Sequence, residues 1–249
     1  MATAAEYPRT GARTANVPGR RFDHVFFTSM ALVMLVTVFF GFAHSYYLAG
    51  LFRAPLPSRI IHIHGAVFSC WILLLIAQTS LVSAGRTDIH RRLGLAGFFL
   101  GCLLIILGVL AATDALNRNA PIGRNPQLFY MFHLTDLLVF GVLVYFAFCA
   151  RLDPPAHKRF IYIGTIALLG PAIARLPLAF LFPSSPIVTW LTEGFLLVLV
   201  LYDLWSTHRI HRATLWAGAF LVVVLQFRVP AAKTPAWLAF CAWVQHLVR

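Results

Sequence analysis

Charged residues are scarce in this chain. They make up 11% of its 249 residues, whereas 60% of the residues are hydrophobic. Soluble domains contain about 25% charged residues, so water would have to cover far more apolar surface here than it does in an ordinary globular protein. The composition therefore excludes a typical soluble domain and favours an integral membrane protein.

Several familiar functional motifs are also missing. The sequence has no P-loop, no HExxH and no GxSxG pattern,. Its four cysteines lie far apart inside apolar runs, and this spacing favours neither a disulfide framework nor a cysteine metal site,. The net charge of +12 is distributed between the apolar runs. That pattern is typical of loops next to a membrane and argues for membrane lipids, not nucleic acid, as the partner.

Seven apolar runs predict membrane-spanning helices. They cover residues 25–47, 60–84, 93–113, 128–150, 160–182, 187–206 and 214–227,. Residues 1–21 are polar and predict a disordered arm, so residues 22–249 form a single transmembrane domain. Residues 236–248 are apolar but short, which leaves an interfacial helix and an eighth crossing both open. The predicted fold is an all-α, polytopic transmembrane helical bundle of about seven spans.

Positive residues predict the orientation of the bundle. With the N-terminus inside, the inner segments contain 12 Lys and Arg residues and the outer loops contain 6, among them Arg228. Cytoplasmic loops of membrane proteins carry the excess of positive charge. The sequence therefore predicts that the N-terminus lies inside.

A short motif recurs where three of the inner loops enter a new helix. Each copy consists of a histidine, a basic residue, five further residues and a glycine. The copies begin at His90, His157 and His211 and end at Gly97, Gly164 and Gly218. This repeat predicts a lead helix followed by three related helical hairpins.

Ionisable side chains inside the predicted spans are the first candidates for function, because such groups are costly in hydrocarbon, an Asp, Lys or Arg costing about 2.5–3.5 kcal/mol at the centre of a membrane helix. His64, His133 and Glu193 lie near the outer ends of the first helices of the three hairpins. If these helices converge, the three side chains meet. Imidazole and carboxylate together suit a divalent transition metal, and two histidines on facing helices suit haem b.

Three further residues are predicted to support this site. Asp136 follows His133 by three residues on the same helical face and could orient its imidazole,. Gln78 lies on the same stripe of its helix as His64, and Arg175 lies in a span that prolines must bend,. Arg175 could pair with Glu193, with Asp136 or with an anionic ligand.

The leading functional hypothesis is a membrane protein that binds a metal or haem in its outer half, with a redox or assembly role. One alternative is a non-catalytic bundle for transport or ligand binding, in which Arg175 and Glu193 line a polar cavity and the histidines tune protonation. Another is a metal-dependent lipid hydrolase, which needs three ligands and an open coordination position. No catalytic residue is predicted.

The first three spans contain His62-Ile63-His64-Gly65, then Trp71 and Gln78, then Gly85-Arg86 and His90-Arg91-Arg92-Leu93-Gly94. This pattern resembles that of an uncharacterised family of bacterial multi-pass membrane proteins. It implies a location in the bacterial inner membrane and implies no particular activity.

Overall fold

Helices account for nearly all of the chain that the structure describes. The computed structural model describes residues 18–55, 57–119, 125–177 and 185–247, and these ranges contain no strand. The helices are α1 (Pro18–Phe42, continued as a π-helix over Ala43–Tyr47), α2 (Arg59–Ser83), α3 (Thr87–Asn117), α4 (Pro126–Cys149), α5 (Pro154–Ala167), α6 (Gly170–Ile173), α7 (Ser185–Thr207), α8 (Arg212–Ala232) and α9 (Pro235–Leu247). The predicted all-α bundle is confirmed.

Six of these helices are long and apolar enough to cross a membrane. They are α1 with its π-helical end, α2, α3, α4, α7 and α8. Their outward faces carry large apolar side chains, and Trp216 and Phe227 are 74% and 67% exposed. Apolar surface of this extent needs a lipid environment, so the chain is a multi-pass membrane protein. Of the predicted arm, residues 1–17 lie outside the described residues, and α1 already begins at Pro18.

The predicted fifth span, residues 160–182, is not one continuous helix. Its part beyond residue 177 lies outside the described residues, and the rest forms α5 and the short α6 with a turn at Leu168 and Leu169. Pro171 explains the break, because proline has no N–H to donate to the carbonyl of Ala167 and its ring crowds that carbonyl.

The broken segment nevertheless carries the chain from one end of the bundle to the other. Arg159, near the start of α5, binds Asp203, near the end of α7. Gly170, at the start of α6, lies beside Asp136 in the first half of α4. We call the end of the bundle at which α1 begins the proximal end and the opposite end the distal end. They correspond to the predicted inner and outer sides.

A buried carboxylate holds the proximal end together. Asp203 is fully buried and accepts hydrogen bonds from Arg159 of α5, from the Thr214 hydroxyl of α8 at 2.6 Å and from the His211 N–H at 3.1 Å. His211 also begins α8, because its Nδ1 accepts the Ala213 N–H at 3.1 Å,. One carboxylate thus ties three helices together where they meet.

The predicted hairpin repeat has a physical counterpart in helix packing. In each hairpin the repeat glycine of the second helix faces one leucine of the first, which we call the repeat leucine. A Cβ on any of these glycines would lie 2.9–3.3 Å from that leucine. The pairs are Gly97 with Leu74, Gly164 with Leu143, and Gly218 with Leu196. The glycines therefore permit close helix approach.

Helix α9 lies across the distal end and is not an eighth crossing. Near its start, the Trp237 indole N–H donates to the carbonyl of Gln127 at 3.0 Å, at the beginning of α4. Near its end, the Gln245 amide donates to the carbonyl of Leu116 at 3.1 Å, at the end of α3. Both ends of α9 therefore stay at the distal level, as expected for an interfacial helix.

Candidate functional site

A cavity of about 330 Å³ lies in the distal half of the bundle. Helices α2, α3 and α4 form much of its wall, and the π-helix and α6 close it. Most of the lining is apolar, and α3 contributes only small side chains and Leu104. The polar side chains in the wall are Ser45, Tyr46, Tyr47, His64, His133, Asp136 and Arg175.

Two irregular stretches of backbone meet at this cavity. In the π-helix, the Leu48 N–H donates to the Ala43 carbonyl five residues back, at 2.8 Å. The other stretch is α6, which approaches the end of α1 so closely that a Cβ on Gly41 would overlap the carbonyl of Ala172. Non-helical backbone at membrane depth is tolerated where it is buried in protein or lines a cavity. Such π-bulges often occur at functional sites.

His133 presents one nitrogen to the cavity because the other is used by its own helix. Its Nδ1 donates to the carbonyl of Phe129, one turn back, at 2.8 Å. A carbonyl can only accept, so the neutral ring has a bare Nε2 that can accept a proton or bind a metal. The Phe129 ring packs against the imidazole with centroids 4.1 Å apart and limits its rotation.

His64 faces the same cavity from α2. Its Nδ1 is buried and has no hydrogen-bond partner among the residues that the structure describes. Gly108 of α3 makes room for the ring, since a Cβ there would lie 3.3 Å from Cε1 of His64. His64 and His133 each precede the repeat leucine of their hairpin by ten residues, so the repeat places them at equivalent positions.

Arg175 brings positive charge to this cavity. It lines the wall just after α6 and donates to the Pro171 carbonyl at 2.7 Å. Its guanidinium also stacks on the Phe42 ring of α1, 5.0 Å from the centroid,. These contacts join α6 to the end of α1 beside the π-helix.

Asp136 has a different partner from the predicted one. Its carboxylate binds the Arg228 guanidinium of α8 at 3.0 Å, not the imidazole of His133, and both side chains are buried. Arg228 also donates to the Thr189 hydroxyl of α7 at 3.1 Å and stacks on Phe132. Asp136 therefore joins α4 to α7 and α8 at the cavity wall.

The sequence prediction missed Arg228, which was assigned to an outer loop. The apolar run ends at Phe227, but α8 continues to Ala232 and places Arg228 inside the helix. Its pairing with Asp136 joins residues 92 positions apart. Two features of the sequence could have placed Arg228 inside the helix. The residues after it, Val-Pro-Ala-Ala, are apolar, and Asp136 is an acidic residue within a span that requires a cationic partner,.

Glu193 is not brought to the two histidines. Its carboxylate accepts the amide N–H of Gln226 at 2.8 Å, between α7 and α8, away from the cavity wall. Glu193 precedes its repeat leucine by only three residues, against ten for each histidine. At 1.5 Å per residue, it lies about 10 Å closer to the proximal end.

Gln78 also lies away from the cavity. With its amide oriented to satisfy both neighbours, it donates to Nδ1 of His90 at 2.8 Å and accepts the Gly94 N–H at 3.0 Å. Gln78 follows His64 by fourteen residues, which is about 21 Å along a helix,. It therefore supports the α2–α3 hairpin near the proximal end.

The predicted metal site is left with two ligands. Within the described ranges, no group of three His, Cys, Asp or Glu side chains is placed to hold a metal ion. His64 and His133 remain candidates for binding a cofactor between them. Arg175 in the same wall would oppose a further cation, so the surroundings do not favour a divalent metal.

Comparison with protein-family models, with curated proteins and with solved structures gives no match for this chain. The geometry of the cavity therefore carries the functional argument.

Proposed function

We propose that this chain is a membrane protein that binds one small amphiphilic ligand in its distal cavity. The observation that carries the proposal is that a π-helical segment and a proline-broken helix meet at a cavity with two histidines and an arginine. A volume of about 330 Å³ falls at the lower end of the 300–1,000 Å³ that is typical of small-molecule sites,. Discontinuous helices form the substrate sites of many transporters, so binding coupled to transport is consistent with this architecture.

The proposed location is the bacterial cytoplasmic membrane, with the N-terminus inside. Arg228 of the outer set and Arg159 of the inner set are both buried within helices, so leaving out both gives five positive residues in the outer loops against eleven in the inner segments. This charge bias supports the orientation. The distal cavity would then face the extracytoplasmic side.

A cavity-filling variant tests ligand binding. Ala111 of α3 lines the cavity, so Ala111→Phe places a ring inside it. Ala96→Phe on the exposed face of the same helix is the matched control. We expect small molecules extracted from purified wild type and from Ala96→Phe to include a species that Ala111→Phe lacks, as measured by mass spectrometry. Equal retention by all three proteins would contradict the proposal.

A second candidate, haem or metal binding with a redox or assembly role, is supported by the hydrogen bond of His133. Ligating histidines almost always donate their second nitrogen in this way, and His64 occupies the equivalent position in the neighbouring hairpin,. The size of the cavity suits a small ligand better than a porphyrin. An absorption spectrum and metal analysis of wild type and His64→Ala decide between the candidates. A Soret band or stoichiometric metal that His64→Ala loses would replace the first proposal.

A lipid hydrolase is not proposed. Such an enzyme needs three metal ligands and an open position. The part of the chain that the structure describes offers no such group.

A further inference from the structure

Helices α3 and α4 meet along a line that stays partly open to the surrounding lipid. Toward its proximal end, the rings of Phe98 and Phe148 pack with their centroids 4.5 Å apart. Two turns farther into the bundle, Ile105 packs on Gly141, where a Cβ would lie 3.0 Å from Cδ1 of Ile105. All four residues are only partly buried. We call this line, defined by these four residues, the α3–α4 seam. A molecule in the lipid around the bundle can contact it.

Two arginines lie at the proximal end of the seam. Arg91 precedes Phe98 by seven residues, so it lies two turns away on the same face of α3,. Arg151 follows the end of α4, and its guanidinium folds back over the Phe148 ring, 4.8 Å from the centroid, and donates to the Phe148 carbonyl at 3.2 Å. At 1.5 Å per residue, Arg91 begins about 10 Å and Arg151 about 5 Å beyond the contact of the two rings. Both long side chains can therefore reach one phosphate group between them.

The charges of these two arginines are not matched by carboxylates of the described residues. Arg91 and Arg151 are both exposed, and neither forms an ion pair there. The acidic residues nearest in sequence are engaged elsewhere. Asp88 pairs with Arg86 at 3.5 Å, and Asp153 caps the first turn of α5. The proximal end of the seam is therefore locally positive and favours an anion.

Apolar surface continues from the arginines along the seam. Leu95 follows Arg91 by one helical turn, and Tyr145 precedes Phe148 by one turn. Their side chains are 53% and 58% exposed. In a membrane protein such side chains contact acyl chains, whereas an arginine at the end of a span lies at the level of the head groups. The seam thus combines a cationic end with an apolar path, which matches the two parts of a phospholipid.

From this arrangement we infer that the α3–α4 seam binds a phospholipid with a net negative head group. The phosphate lies between Arg91 and Arg151, because guanidinium groups bind phosphate oxygens through paired N–H donors. One acyl chain follows the seam toward Gly141. A zwitterionic phospholipid carries a cation of its own, which the two arginines repel, so the anionic head group is preferred. This site is separate from the distal cavity and does not depend on what that cavity binds.

The experiment counts the lipids that stay with the protein. Wild type is reconstituted in nanodiscs with equal amounts of phosphatidylglycerol and phosphatidylcholine and then released into a mild detergent. Native mass spectrometry measures the bound lipids. We expect phosphatidylglycerol to exceed phosphatidylcholine by about tenfold on wild type. Arg91→Gln combined with Arg151→Gln should bring the two lipids close to equal, whereas Arg91→Lys combined with Arg151→Lys should keep most of the preference.

A matched control removes the same charge elsewhere at the proximal end. Arg92 lies on a different face of α3 from Arg91, and Arg209 lies in the loop between α7 and α8, and both are exposed. Arg92→Gln combined with Arg209→Gln should retain the preference for phosphatidylglycerol. Equal binding of the two lipids to wild type would overturn the inference. So would an equal loss of preference in both glutamine double variants, since it would mean that the anionic lipid responds to the overall positive charge and not to the seam.

Discussion

The ion pair between Asp136 and Arg228 should be the most strongly coupled pair in the distal half. Both side chains are buried, being 5% and 4% exposed, and lipid surrounds the helices that carry them. Asp136→Leu removes the anion and leaves a guanidinium whose remaining partners among the described residues are Thr189 and the Phe132 ring. An uncompensated buried charge costs far more than the pair itself contributes.

The known cost of breaking a buried ion pair sets the expected loss of unfolding free energy. Breaking a buried pair costs about 3–5 kcal/mol, so we expect that loss of unfolding free energy for Asp136→Leu. Arg228→Met should cost less, because an isolated carboxyl in hydrocarbon takes up a proton. The double variant should return to within about 1 kcal/mol of wild type, since apolar replacements of both partners are often neutral. Neutral hydrogen bonds between membrane helices average only about 0.6 kcal/mol, so the coupling energy between Asp136 and Arg228 should exceed that value.

The assay is reversible unfolding by SDS in mixed micelles, followed by fluorescence of the six tryptophans. A double-mutant cycle isolates the coupling between Asp136 and Arg228. The pair of Asp114 and Arg118, which is 30% and 46% exposed, serves as the control and should couple by about 0.2–1 kcal/mol,. Losses that simply add, within about 0.5 kcal/mol, would refute the view that the two charges depend on each other.

Three further predictions concern the packing and the proximal end. Gly41→Ala should destabilise the protein by about 1–3 kcal/mol in the same assay, because its Cβ would overlap α6, whereas Gly50→Ala, with open space around it, should have little effect,. Asp203→Asn should lower the SDS midpoint strongly, because it leaves the buried Arg159 without its anion, and an unchanged midpoint would contradict this role,. Burial and the charge of Arg159 lower the pKa of His211 below its ordinary value of 6.5, so the folded state favours the neutral ring. Stability should therefore be full above pH 6.5 and fall as the pH drops through the lowered pKa, and His211→Asn, which can still cap α8, should flatten that dependence.

Much of the fold follows from the sequence, because the apolar runs are long enough to predict spans and a proline within a run predicts a break in the helix. Pro171 predicted a bend, and the chain breaks there between α5 and α6. The repeat also had a physical basis, since its glycines face leucines across each hairpin. What composition could not supply is where a helix ends when a charged residue continues it, as Arg228 continues α8.

The candidate site was harder to predict because depth within a helix depends on its register. His64 and His133 lie at equivalent repeat positions and face one cavity. Glu193 was grouped with them from its distance to the end of an apolar run. That distance does not fix the position of Glu193 relative to the repeat leucine of its hairpin. Measured from that leucine, Glu193 lies about two helical turns away from the position that the two histidines occupy,. The residue pattern along one helix also does not show which residue of another helix it will contact, as in the pairing of Asp136 with Arg228.

The two ends of the bundle are built for different tasks. At the proximal end Asp203 satisfies donors from two other helices and the loop between α7 and α8, so opening there would expose several buried polar groups at once,. At the distal end the π-helix departs from α-helix geometry, α6 is only four residues long, and both line part of the cavity. Local opening is cheapest where backbone and packing are least regular. A ligand that reaches His64 and His133 should therefore enter from the distal end, by movement of these two short segments against a proximal end that stays closed.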